Sequence, residues 1–221
     1  MSTASVDVPL IPHKAKPRGK NSGELLLRIA AKLFREKGYT ATSIRDIAKR
    51  AHIESSALYY YFASKEALLD AVLERSINSV MAAVREAIRQ LPADASPRER
   101  FRVSIATHSR VVVLHGDYAL ASRRVIGQIP LSVRRKHDAM RGAYGGYWKE
   151  LFNLAARNND FADDAQPGLA RMLLLGAINW TTEWFDANRK APEEVAAIFC
   201  DILFGGLGPK PRQLKAVRAK Q

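Results

Sequence analysis

Apolar residues recur along this chain at spacings of three and four with polar residues between them, a helical period from end to end. Leu26, Ile29, Ala30, Leu33 and Phe34 form the first stripe. Asn21 reads as its N-cap with Glu24 as capping-box partner, and Gly38 ends it, because glycine enters the left-handed C′ conformation without strain. Thr42 or Ser43 opens a short second helix carrying Ile44, Ile47, Ala48 and Ala51, with Asp46 placed to favour its first turn. His52-Ile53-Glu54 fits a turn, and Ser55 or Ser56 reads as the cap of a third helix reaching about Phe62. Ser64 caps a long fourth helix, with Leu68, Leu69, Val72, Leu73 and Ile77 inside, running to about Gln90.

The pattern stays helical beyond Pro92. Ser96-Pro97 opens a segment to His115, where Gly116 interrupts it. A short helix follows from Asp117 to Ile126 and stops near Gly127 and Pro130. A long one runs from Ser132 to about Arg157, and a polar loop covers Asn158 to Asp164. Gln166-Pro167 begins a very apolar helix expected to reach about Ala187, and Pro192-Glu193-Glu194 begins the last, ending at Gly205-Gly206. There is no period-two alternation and no internal repeat. The expected fold class is all-α, with a three-helix head at residues 21–68 and a helical body at 69–208. Residues 1–20 hold Pro9, Pro12 and Pro17 among four basic residues and little that can be buried, so they read as a disordered basic arm. Residues 209–221 read as a basic disordered tail without an apolar stripe.

Charge sharpens this picture. The net charge of +13 is unevenly spread. Residues 1–65 hold 12 Lys and Arg against 5 Asp and Glu, residues 66–208 hold 18 against 17, and residues 209–221 hold 5 against none. A neutral body with basic ends fits a polyanionic partner, since neutralised phosphates release condensed counterions. With 221 residues, 47% hydrophobic, the chain can bury a substantial core. The lone Cys200 excludes an intrachain disulfide and a cysteine-rich zinc site. No apolar run has the length of a secretory signal near the start or of a membrane span anywhere, so the expected location is the cytoplasm, with no membrane partner. No catalytic constellation, cofactor motif or metal cluster stands out. His108 and His115 share a helical face but lie two turns apart, too far to share an ion, and no glycine-rich phosphate loop follows a strand.

The segment from Ser43 to Phe62 carries the strongest functional signal. A small apolar support helix, a tight turn and a second helix with a polar leading edge are the parts of a helix-turn-helix. Gly38-Tyr39, Thr42-Ser43-Ile44-Arg45-Asp46-Ile47-Ala48, Ala51, Ala57-Leu58-Tyr59-Tyr60-Tyr61-Phe62 and Ser64-Lys65-Glu66-Ala67-Leu68-Leu69 together resemble the DNA-binding domain of the TetR family. The resemblance covers about residues 22–70. It implies operator DNA as partner and Arg45, Ser55, Ser56, Ala57, Tyr59, Tyr60, Tyr61 and Lys65 as the DNA-contacting set. The residue chemistry agrees. Small side chains at positions 55–57 allow close approach to bases, tyrosine hydroxyls reach phosphates, and Lys65 stands at the start of the fourth helix, where its charge joins backbone amides in holding a phosphate. Leu58 and Phe62 read as core. His52 stands where the family usually has Gly, at a turn position that calls for a positive φ. In the basic arm, Arg18 and Lys20 are candidate minor-groove readers.

The last two long helices suit dimerisation. Met172 to Ile178 is apolar nearly all round, Val195, Ile198, Phe199, Ile202 and Leu203 recur at helical spacing, and Gly176, Ala177, Ala196 and Ala197 allow close approach. The stretch from Leu174 to Phe185, then Pro192 to Ala196, resembles the regulatory domain of TetR-type repressors that control fatty-acid, sterol or related acyl-CoA catabolism. That resemblance implies an acyl-CoA thioester or another small hydrophobic effector, and a homodimer. Candidate ligand residues are Tyr144, Tyr147, Trp148 and Phe152, on a helix relieved by Gly142, Gly145 and Gly146, with Trp180. Arg123 and Arg124, with Arg134, Arg135 and Lys136, are candidates for phosphates at a pocket mouth. The expected function is a repressor released from a palindromic operator by its effector. The alternative is a helical enzyme or adaptor that carries a basic nucleic-acid-binding head.

Overall fold

A computed structural model describes residues 20–162, 165–186 and 189–207. The helices are α1 (Lys20–Lys37), α2 (Ile44–Arg50), α3 (Ser55–Tyr59), α4 (Lys65–Arg89), α5 (Pro97–Leu114), α6 (Gly116–Val125), α7 (Leu131–Arg157), α8 (Pro167–Asn179), α9 (Thr181–Trp184) and α10 (Pro192–Leu207). A 3-10 turn, Ile126–Gln128, joins α6 to α7. No strand occurs among the described residues, and the fold is all-α. The basic arm, apart from Lys20, and the basic tail lie outside the described residues. So does Arg18, and so do residues 163, 164, 187 and 188.

Local chemistry explains most boundaries. Ser43 caps α2 through a full capping box with Asp46, and Ser64 caps α4 by accepting the amide of Ala67 at 3.0 Å. Ser96 caps α5, with Pro97 in the first turn. Four boundaries depart from expectation. Asn21 lies inside α1, which begins at Lys20, so it is not an N-cap. Neither Ser55 nor Ser56 caps α3: Glu54 holds the N-cap position without a side-chain bond, and the helix closes at Tyr59, short of Phe62. Gly116 opens α6. The apolar helix that starts at Pro167 ends at Asn179, not near Ala187. There the Asn179 amide donates to the Leu175 carbonyl at 2.8 Å, and the Thr181 and Thr182 hydroxyls donate to the carbonyls of Ile178 and Asn179. Side chains that bond back to the helix carbonyls compete with its continuation.

Two large cores result. The first joins α1, α2, α3 and the start of α4, around Leu26, Ala30, Phe34, Ile47, Leu58, Leu68 and Leu69. It is not closed by the head alone: Tyr118, Ala121 and Val125 of α6, with Ile129 and Val133, complete it. The second lies in the body, where Phe101 meets Phe152 and Phe204 edge to face at 4.9 and 5.4 Å. Trp148, Leu151 and Ala155 of α7, Ile178 of α8, and Ala196 and Cys200 of α10 fill it. Burial raises the Cys200 thiol to about 11, so it is held as an inert neutral group.

Candidate DNA-binding face and effector cavity

The head is built on short-range bonds. Thr42 is buried, and its hydroxyl donates to the carbonyl of Gly38 at 2.7 Å, pinning the turn between α1 and α2. Gly38 has φ 82°, and a β-carbon there would meet the amide of Gln128 at 2.9 Å. Asp46 accepts from the amide and hydroxyl of Ser43 at 2.9 and 2.7 Å, and these bonds hold its carboxyl below the usual range. Between α2 and α3, the amide of Ile53 returns to the carbonyl of Ala48 at 3.0 Å, and His52 sits at φ 55°. The turn therefore does place a non-glycine residue in the left-handed region.

On this frame Arg45 and Ser56 are exposed, and Ser55 and Ala57 are half-buried at the leading turn of α3. Tyr59 is exposed, and Tyr60 keeps 85% of its surface, with its ring edge-on to Tyr61 at 5.2 Å. Tyr61 is half-buried against the head core and beside Gly23. Leu58 is fully buried and Phe62 packs on the same core. The ammonium of Lys65 lies 4.2 Å from the centre of the Tyr39 ring, whose hydroxyl donates to Glu66 at 3.0 Å. Burial lowers the Lys65 pKa. Burial, then the Glu66 carboxylate, raises Tyr39 to about 12.

A cavity of about 370 Å³ opens between α4, α5, α6, α7 and α8. Ile77, Val80, Val112, Ala119, Ile126 and Leu175 give it apolar walls. Its polar lining is His108, His137, Arg123, Arg141, Tyr144 and Asn179, with Ser76 and Ser122. His108 Nδ1 lies 2.8 Å from the Tyr144 hydroxyl, with the two rings nearly parallel. Burial lowers His108 to about 4 and also lowers His137, where the positive charge of Arg141 adds to the effect.

Tyr144 and Arg123 therefore line the cavity as candidate ligand residues. Tyr147 stacks behind Tyr144 at 6.2 Å and bonds Ser104 at 2.5 Å. Trp148 and Phe152 do not reach the cavity, because their face of α7 packs into the body core. Trp180 is half exposed, with the Arg123 guanidinium 4.4 Å from its ring centre and Glu183 as the other partner of Arg123. Arg124, Arg134 and Arg135 are exposed and line no part of the cavity. Lys136 is tied to Asp70 at 2.8 Å and Glu74 at 3.0 Å, which fastens α7 to α4. His108 and His137 escaped the sequence reading as cavity residues. The available signal was a polar side chain on the otherwise core-facing stripe of Phe101, Ile105 and Val112.

A second apolar feature lies on the outer face of α8 and α10. A furrow of about 360 Å³ runs between Leu173, Leu174 and Ala177 on one side and Phe199, Ile202 and Leu203 on the other. Leu169 and Met172 of α8 and Ile198 of α10 are exposed as well.

Comparison with known proteins agrees with this geometry. Residues 26–72 match the model for bacterial regulatory proteins, tetR family, and residues 94–207 match that for the Tetracyclin repressor-like C-terminal domain. The HTH-type transcriptional activator FasR of Mycolicibacterium smegmatis is 35% identical over 88% of this chain and 86% of its own. The HTH-type transcriptional repressor KstR2 of Mycobacterium tuberculosis is 26% identical over 82% of this chain and 90% of its own. The solved structure of that ketosteroid regulator superposes with a TM-score of 0.74 at 22% identity, covering 90% of this chain and all of the other. AibR, solved with isovaleryl coenzyme A and operator DNA, shares the fold with a TM-score of 0.70 at 23% identity, over 83% of this chain and 98% of its own. These matches set aside the alternative of a helical enzyme or adaptor. With a helix-turn-helix head, a helical body and both halves matched in order, the chain belongs to the tetR family of bacterial regulatory proteins.

Proposed function

We propose that this DNA-binding regulator represses from a palindromic operator as a homodimer in the cytoplasm and is released when a small hydrophobic effector or the acyl part of an acyl-CoA fills the cavity. The observation that carries the reading is the double use of α6. Ala119, Ser122 and Arg123 line the cavity. Tyr118, Ala121 and Val125, on another face of the same ten-residue helix, lie in the core of the DNA-binding head. Just beyond it, Gln128 accepts from the amide of Thr40 at 2.9 Å. An occupant that pushes α6 cannot leave the head where it was. The fourth helix gives a second link, with Leu68 to Leu73 in the head core and Ser76, Ile77 and Val80 on the cavity wall.

In this reading Arg45, Ser55, Ser56, Ala57, Tyr59, Tyr60, Tyr61 and Lys65 form the DNA face, and the furrow between α8 and α10 is covered by a second copy. KstR2 is named a repressor and FasR an activator. We take the repressor sign because displacement of α6 disturbs a head that is otherwise fully packed. The coupling is tested by reciprocity. An effector that weakens operator binding by a given factor must itself bind more weakly, by the same factor, when the operator is present. The expected coupling is about 1–3 kcal/mol, or roughly 5–150-fold. The test is to titrate the effector with and without a palindrome selected from random DNA. Equal effector affinity in the two titrations would refute the release mechanism.

A further inference from the structure

The cavity carries more polar chemistry than its apolar walls need. His108 and His137 are each only 2% exposed, yet both ring nitrogens of His137 have no hydrogen-bond partner, and His108 Nε2 makes no hydrogen bond of normal length, although the Asn179 side chain is close enough to favour its protonated form. Arg123 Nη1 is likewise buried and unpartnered. Buried polar atoms are ordinarily satisfied, and leaving one bare is costly. No carboxylate lines the cavity, whereas two arginines and two imidazoles do. No group of three His, Cys, Asp or Glu among the described residues can hold a metal ion.

The tautomer of His108 follows from its neighbour. The Tyr144 phenol is buried and stays protonated, its pKa raised by loss of solvent. Its hydroxyl needs an acceptor, and His108 Nδ1 at 2.8 Å is the one that the structure supplies. Trp148, edge-on to Tyr144 at 6.2 Å, offers only an indole N–H and cannot take that proton. A neutral imidazole that accepts at Nδ1 carries its proton on Nε2. The cavity is thus presented with an N–H from α5, a second unsatisfied imidazole from α7, guanidinium groups from α6 and α7, and apolar surface elsewhere.

Resting on the effector reading above, we infer that the occupant is an apolar molecule with one acyl oxygen, a carboxylate or an ester or thioester carbonyl, which accepts from His108 Nε2 with His137 on the neighbouring wall. Size limits what enters. At roughly 30 Å³ per water-sized group, a space of about 370 Å³ holds about a dozen such groups. That is an acyl body and not a whole coenzyme A, whose remainder would have to stay outside.

The test titrates the full-length protein calorimetrically with decanoic acid, methyl decanoate, decanoyl-CoA and decylamine. The three acyl probes share the chain and the oxygen acceptor, and the amine replaces the acceptor with a donor-only cation. At least one acyl probe should bind about tenfold tighter than the amine, the usual effect of a buried hydrogen bond. Which one binds tightest identifies the source: the acid for a free carboxylate, the ester or the CoA thioester for a carbonyl. His108→Phe keeps a ring and removes the N–H, and should bring acyl binding down to the amine level. If that variant does not fold, Tyr144→Phe, which releases the tautomer, should weaken the acyl probes about threefold or more. Acyl and amine probes of equal affinity, or acyl binding unchanged in the folded variant, would overturn the inference. Operator binding is measured on the same preparation by fluorescence anisotropy. A protein that binds a selected palindrome but prefers no acyl probe sinks this inference alone, whereas failure to bind any palindrome sinks the regulatory reading.

Discussion

Ile202→Glu should convert the protein from dimer to monomer. Leu169, Met172, Leu173, Ile198 and Ile202 expose between 44% and 68% of their surface on the outer face of α8 and α10. Complete burial of such a side chain contributes about 1.5–3 kcal/mol, so covering the exposed part contributes roughly 1–2 kcal/mol each. In the proposed two-fold interface ten of these side chains meet, for a gross gain of about 10–20 kcal/mol. Association costs on the order of 4–15 kcal/mol, and the balance favours a stable dimer. Because the interface is self-complementary, one substitution enters twice. Two isoleucines are lost, and two unpaired carboxylates are buried at several kcal/mol each. The sum is on the order of 8 kcal/mol, which weakens the dimer by roughly six powers of ten. Ile202 is exposed in the single chain, so the fold should survive. Light scattering during size exclusion should give half the wild-type mass, and binding to a palindrome should fall with it. Ile202→Ala removes area without adding charge and should remain largely dimeric at micromolar concentration. An Ile202→Glu protein of unchanged mass would refute the placement of the interface.

Three further outcomes are expected. Lys65→Ala should weaken binding to every DNA sequence by a similar factor and lower the salt slope by roughly 1, since a phosphate contact carries no base information; anisotropy titrations at several salt concentrations check this. For His108, the unfolded imidazole takes up a proton near 6.5 and the folded one only near 4, so the unfolded state binds more protons in that window. Stability should therefore fall as pH drops from about 6.5 to about 4, by up to about 3 kcal/mol. His137 on α7 is lowered as well and adds in the same direction. Urea midpoints at pH 7 and pH 4.5 should move closer together in His108→Gln than in the wild type. His52→Gly should relieve a left-handed residue at φ 55° by about 1 kcal/mol. That raises Tm by roughly 2–4 °C, and an unchanged or lower Tm would show that the turn is not strained.

The head was legible in the sequence because its signals are local. Ser43 with Asp46, Ser64 with Ala67 and the left-handed requirement at position 52 each act within a few residues, and a linear pattern retains them. The body yielded most of its helices but only part of its cavity: Tyr144 and Arg123 line it, and Trp148 and Phe152 do not. Trp148 and Phe152 read as pocket aromatics because a glycine-relieved helix carries them, yet which face of a helix meets a cavity depends on where its neighbours lie. Positions 137, 141 and 144 of α7 turn to the cavity, and positions 148, 151, 152 and 155 turn to α5 and α10. Nothing in the period distinguishes these two faces, since each is bounded by apolar residues. The basic cluster misled for a related reason. Lys136 is bound to acids of α4 that lie 62 and 66 residues away, a pairing that no local spacing reports.

The link between cavity and head was the least legible part, and the proposed mechanism turns on it. A sequence shows α4 as the covalent path from head to body, but a covalent path is not by itself a lever. In the structure the head core is incomplete without α6, and the cavity is incomplete without the other face of α6. Two packed surfaces on one ten-residue helix leave it little freedom to move for one and not for the other. The fastening of α7 to α4 by Lys136 holds the opposite wall in place. In the proposed mechanism an occupant that fits badly in the resting cavity displaces α6, which ion pairs among the described residues tie to α1 (Arg35 to Asp117 at 2.7 Å) and to α9 (Arg123 to Glu183) and not to α4. The displacement reaches α1 through Tyr118, Ala121 and Val125, and the turn before α2 through the bond from Thr40 to Gln128. A coupling of about 1–3 kcal/mol is small beside either core, so both states can keep their packing and differ only in how the two recognition helices stand to the operator.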